Sequence, residues 1–225
     1  RPIIKDAVLQ WNVAFEKSGF KNAMVVKMQP DSADWDAGDI RYNVLRWTSS
    51  PRAPFGGYGP SFVNPRTGEI LGADIMLEYV HFTNRVLYEK VFDLKSVEKE
   101  FEAPIFHKDM NRVSCSMGHF SQENTQFGSA VLLAENASDL KLKRLKRESM
   151  MALIMHEIGH TLGLNHNMKA SQLFSPEQLA DSSFIKGKCL TGSVMDYAAI
   201  NLTKDRSKQG QFEDVAVGPY DIWAI

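Results

Sequence analysis

The sequence predicts an α+β fold. Short segments with strand character, separated by turn residues, crowd residues 23–80. Helical periodicity marks the first turns of the chain and the stretch that leads to residue 156. Size sets the scale: 225 residues, at about 150 per domain, make one large domain or one with an appendage.

The elements follow in order. Pro2 suits a first helical turn, and Ile4, Val8, Trp11 and Phe15 line one face, so a helix opens the chain and Gly19 stops it. Residues 23–28 (AMVVKM) are apolar, short and soon followed by Pro30, which predicts a strand. Residues 31–39 hold four Asp and predict a loop. Residues 40–47 (IRYNVLRW) predict a second strand, and residues 49–60, rich in Ser, Pro and Gly, a long loop. Pro65-Arg66-Thr67-Gly68 is a turn sequence, so residues 61–64 and 69–80 predict a hairpin. Residues 126–135 and 138–147 read as helical, whereas the stretch around Cys115 and Gly118 reads as irregular. Leu142 and Leu145 sit three apart within the basic run 141–147, the pattern of a solvated helix face rather than a nucleic-acid patch. Residues 149–155 carry that helix on to His156.

Composition narrows the function. The 26 basic and 27 acidic residues leave a formal charge of −1, which excludes a nucleic-acid binder driven by bulk charge. No apolar run approaches about 18 residues, so no spanning helix is expected. An apolar fraction of 44% suffices for a sizeable core. Two cysteines exclude a disulfide-dense scaffold; Cys115 and Cys189 can pair in an oxidising compartment or stay as buried thiols, and the sequence leaves both open.

Residues 156–166 read His-Glu-Ile-Gly-His-Thr-Leu-Gly-Leu-Asn-His. On a helix His156 and His160 are one turn apart on one face, where two imidazoles can grip one Zn2+. Glu157 lies about 100° round the helix, placed to reach a water without ligating the metal. Gly163 can adopt a left-handed conformation, end the helix and turn the chain so that His166 returns as a third ligand. Three protein ligands leave a fourth position open, the layout of a catalytic zinc rather than a structural one.

This motif, followed some thirty residues later by Ser193-Val194-Met195-Asp196-Tyr197, resembles the metzincin clan of zinc endopeptidases. Residues 11–20 (WNVAFEKSGF), 64–75 (NPRTGEILGADI), 166–171 (HNMKAS) and 218–225 (GPYDIWAI) resemble a bacterial matrixin-like group of large secreted or envelope proteins. The resemblance implies a metzincin-like catalytic domain: a twisted mixed sheet of three or four strands with an antiparallel edge strand, an active-site helix, a methionine turn and a C-terminal helix. It implies one zinc-protease domain over residues 1–225, with subdomains at about 1–163 and 164–225. Such domains start with a strand, whereas this chain starts almost at its first helix. Flanking sequence from a longer chain is therefore expected. A protein or peptide substrate follows, and a secreted, periplasmic or cell-envelope location.

By the same resemblance, Met195 forms a hydrophobic base under the three imidazoles. Tyr197 departs from the proline usual in matrixins. In astacin-like and serralysin-like enzymes a tyrosine at that place can bind zinc and swing away to stabilise the oxyanion, so Tyr197 either does this or is a phenol packed nearby. Residues 69–79 resemble the edge strand that adds an extended peptide substrate, the alternative being a paired interior strand. Ca2+ has little support: Asp74 more simply caps a turn, and the Asp-rich loop lacks EF-hand spacing. His81, His107 and His119 share no motif spacing and read as surface or satisfied histidines. Two other functions remain open, a binding module with little activity and a zinc hydrolase of a non-peptide or cell-wall amide.

Overall fold

The structure is a computed structural model, and it describes residues 2–49, 57–79 and 115–225. Helix α1 (Pro2–Lys17) buries Ala7, Trp11 and Ala14, spaced four and three apart, so one stripe faces the core. The Trp11 indole N–H donates to the Met155 carbonyl at 3.2 Å, which fixes α1 against the helix of the histidines. Gly19, at φ +94°, ends α1 as expected.

Residues 23–28 do not form a strand. Asn12 accepts from the Met24 N–H at 2.8 Å and donates to the Met24 carbonyl at 3.0 Å, while Val25 and Met28 are exposed. With one residue's backbone held by a side chain and no apolar face covered, the segment has no ladder to join.

Four strands form a mixed sheet among the described residues. They are β1 (Val44–Thr48), β2 (Gly57–Tyr58), β3 (Ser61–Val63) and β4 (Ile70–Glu78). Strand β1 starts later than residue 40, because Asp39 gathers Arg41 into a turn through its carboxylate and Tyr42 through its carbonyl. The hairpin of β3 and β4 turns at Gly68, φ +77°. Residues 57–58, expected in a loop, pair with β4.

The expectation that residues 69–79 offer a free edge is corrected. Strand β4 is interior: β1 runs parallel on one side, with Val44 opposite Asp74, and β2 and β3 run antiparallel on the other. Its C-terminal half buries Ile75 and Leu77 against the core, while Ile70 and Leu71 at its start are exposed.

Helix α2 (Met117–Ala134) begins where the sequence looked irregular. The small residues that gave that impression make the helix contact. Gly118, Ser121, Gly128 and Ser129 are buried, and a side chain at Gly128 would strike Ile200 and Leu145. Ser121 and Thr125 both reach the Ser149 hydroxyl, at 2.8 and 2.6 Å, locking α2 to the next helix. That helix, α3 (Asp139–Thr161), starts with a solvated basic turn that buries Leu142 and Leu145, as predicted, and ends inside the core. Short helices α4 (Pro176–Leu179), α5 (Ser182–Ile185) and α6 (Pro219–Ala224) complete the chain. The main core joins Trp11, Leu77, Met155, Ile158 and Met195, so the sheet, α1 and α3 meet directly beneath the histidines.

No helix among the described residues is long and apolar enough to cross a membrane. His81 and His107 lie outside the described residues; His119 is exposed on α2.

Candidate metal centre

The last turns of α3 place His156 and His160 on one face, ring centroids 4.8 Å apart. His156 is fully buried, and its Nδ1 lies 2.7 Å from the Val194 carbonyl. His160 Nδ1 lies 3.0 Å from the Leu164 carbonyl. A carbonyl only accepts, so in each ring Nδ1 carries the proton and Nε2 is left with a lone pair. Burial disfavours the imidazolium at all three histidines. It holds His156 down to about 3, helped by the neighbouring His160, and it lowers His160 and His166 as well.

Gly163 sits at φ +90°, a conformation a side chain resists. The Gly163 N–H donates to His160 and the Leu164 N–H to Gly159, both at 3.0 Å, the paired bonds of a Schellman stop. The chain then reverses, and His166 Nε2 comes to 3.1 Å from His160 Nε2. Bonds of about 2.0–2.1 Å to a tetrahedral zinc would separate two nitrogens by about 3.3 Å. Neutral, converging imidazoles at this spacing fit zinc.

Glu157 points from the same helix turn into the same space and is fully buried. Its Oε2 finds no hydrogen-bond partner among the described residues. Desolvation pushes its carboxyl up to about 7, partly countered by the Cys115 thiol and the Gly59 amide. Strand β2 passes so close that a Cβ on Gly57 would sit 2.7 Å from Glu157 Oε1. Gly59 presses in the same way on the Glu157 backbone. Glycine is needed here for a close approach, not for a turn.

Residues 193–197 form a tight turn below. Met195 is fully buried against Gly159, where Trp11 also presses. Asp221 of α6 holds this turn, accepting from Ser193 Oγ, the Val194 N–H and the Gly218 N–H. The Tyr197 ring stacks on Phe120, centroids 5.8 Å apart. Its hydroxyl lies 3.2 Å from His166 Nε2 and accepts from the Ser116 N–H at 2.8 Å. Burial, first, and the Cys115 thiol raise its pKa above the usual phenol value.

The sequence-predicted residues His156, Glu157, His160, His166 and Tyr197 therefore meet, with Met195 and Gly163 supporting them. Cys115 joins them unforeseen. Its Sγ lies 3.3 Å from His156 Nε2, and its ligand atom and those of the three histidines all fall within 4.8 Å of one another. No spacing rule could have found it, since 41 residues separate Cys115 from His156. The option of a disulfide is closed: both cysteines are free, and Cys189 is buried elsewhere. Asp74 pairs within the sheet, and among the described residues only the Cys115–histidine group gathers enough ligand atoms for an ion, so calcium gains no support.

A family model described as Met-zincin matches residues 139–225. The matched segment contains α3, the three histidines, Gly163, the 193–197 turn and Asp221, and the match supports a metzincin-type, zinc-dependent metalloprotease family. No curated protein and no solved structure matches the chain significantly.

Proposed function

We propose that this chain is a zinc-dependent endopeptidase of the metzincin type, with its catalytic domain spanning residues 1–225. One observation carries the reading. Three neutral imidazoles converge beside a buried carboxylate, one of whose oxygens has no partner among the described residues. A buried carboxylate set among metal-ligating side chains suits proton transfer, a role that a binding module does not need.

His156, His160 and His166 would hold the metal. Zinc, when bound, supplies a Lewis acid that brings the pKa of water from 15.7 towards about 7 and polarises a carbonyl. Glu157 takes the proton from the attacking water and passes it to the leaving amine. Burial pushes its carboxyl above the ordinary carboxylate range, which favours its taking up and holding that proton. The Tyr197 hydroxyl donates to the oxygen that gains charge as the peptide carbonyl becomes tetrahedral. Its 3.2 Å distance from His166 supports this role over simple packing. Met195 and Gly163 act through the histidines, one as a floor and one as a turn. Neither acid–base step requires a covalent enzyme intermediate.

Digestion of unfolded casein by zinc-loaded wild type beside Glu157→Ala tests the proposal. Wild type should cleave, and the variant should keep one zinc while losing turnover. Equal turnover would overturn the assignment of Glu157.

A further inference from the structure

We propose that Cys115 is a fourth metal ligand in the resting protein, a thiolate latch that closes the site and must leave before a substrate carbonyl can enter. The inference deepens the peptidase reading and rests on it only for the consequence, not for the ligand.

Geometry carries it. Bonds of about 2.3 Å to sulfur and about 2.0–2.1 Å to nitrogen would separate the two donors by about 3.6 Å around a tetrahedral zinc. Cys115 Sγ is 3.3 Å from His156 Nε2, as close as ligands of one ion lie. The sulfur is also 3.3 Å from the Tyr197 hydroxyl and 3.7 Å from Glu157 Oε1. Those are the two groups assigned to the oxyanion and to the attacking water. The thiol therefore stands where the reacting atoms belong, and a fourth protein ligand would close the tetrahedral shell, leaving no open position for water.

The latch is held rather than loose. Cys115 lies two residues before α2, which is pinned to α3 through Ser121, Thr125 and Ser149. Its neighbour Ser116 donates to the same Tyr197 hydroxyl, and Phe120 stacks on the same ring. The sulfur gives up a proton when it ligates the ion and regains one when it is displaced, with no oxidant involved.

The test is cobalt substitution of the whole chain, read by absorption. Wild type should show a near-ultraviolet thiolate-to-cobalt charge-transfer band that Cys115→Ala lacks and Cys189→Ala keeps. Zinc affinity of Cys115→Ala should fall by at least the ~10–100-fold typical of losing even an outer partner of a ligand. Casein turnover by Cys115→Ala, at saturating zinc, should exceed that of wild type. A wild-type protein that holds one cobalt without the band overturns the latch, whatever its activity. A band with no turnover by either protein keeps the ligand and overturns the peptidase reading instead.

Discussion

Asp221→Ala should weaken the fold and the metal site together. Asp221 is fully buried and accepts three bonds: Ser193 Oγ at 2.5 Å, the Gly218 N–H at 2.7 Å and the Val194 N–H at 2.9 Å. Val194 in turn presents its carbonyl to His156 Nδ1. Hydrogen bonds to a charged acceptor contribute about 1.5–3 kcal/mol each, so a simple sum would be about 5–9 kcal/mol. Burial raises the pKa of this carboxyl, which means that ionising it there already has a cost, and the sum overstates the loss. Removing one partner of a buried charged network costs about 3–5 kcal/mol, and that is the expected destabilisation. At about 2–4 °C per kcal/mol for a chain of this size, Tm should fall by roughly 6–20 °C. Once Val194 shifts, His156 loses its orienting carbonyl, and zinc affinity should fall about 10–100-fold. Asp221→Asn keeps an oxygen for Val194 and Gly218 and should lose only about 1 kcal/mol. Denaturant unfolding of the zinc-free proteins and chelator competition for zinc measure the two effects separately. Zinc affinity unchanged in a destabilised Asp221→Ala protein would refute the coupling from α6 to His156.

Gly57→Ala should push the Glu157 carboxylate aside, since the new Cβ would lie 2.7 Å from Oε1. Turnover should drop about 100-fold, with the bound zinc retained and kcat carrying the loss; unchanged kcat would contradict the packing of β2 on Glu157. Gly163→Ala imposes a left-handed conformation that costs about 1–2 kcal/mol and should loosen His166, read as lower stability and lower zinc affinity; a neutral effect on both would show that the stop does not position the ligand. Glu213 is buried with no partner for Oε1 among the described residues, and burial, with Asp214 and Glu148 nearby, holds its carboxyl well above the ordinary 4.5. As pH rises through about 4.5 the unfolded chain gives up this proton first, so stability falls with rising pH until the folded group ionises. Glu213→Gln should therefore stabilise the zinc-free protein more at pH 8 than at pH 5; an increment independent of pH would refute the buried, protonated acid.

The parts legible in the sequence are those set by local signals. Helix α1 follows from its helical spacing and Gly19 stop, although the stripe it buries is Ala7, Trp11 and Ala14 rather than Val8 and Phe15; the β3–β4 hairpin follows from its Pro-Arg-Thr-Gly turn, and the His156–His166 arc from a helix stopped at Gly163. What local patterns do not encode was missed. The buried face of α2 is made of Gly and Ser, which read as loop until Leu145 and Ser149 are seen packed on it. Residues 23–28 have strand composition but no partner, because Asn12 holds Met24. Strand β4 resembles an edge, yet β1 covers one of its sides and β2 and β3 the other. Cys115 and Asp221 belong to the site through packing alone, one far before the histidines and one far after them.

The central claim is peptide hydrolysis at the three-histidine site. Its most direct test is mass spectrometry of unfolded casein after incubation with the chain, zinc-loaded, chelator-stripped and reloaded, alongside Cys115→Ala. New peptide termini should accumulate with the loaded protein, vanish on stripping and return with zinc. Loaded protein that holds one zinc, loses it in His166→Ala, and yields no new termini even as Cys115→Ala would contradict the account.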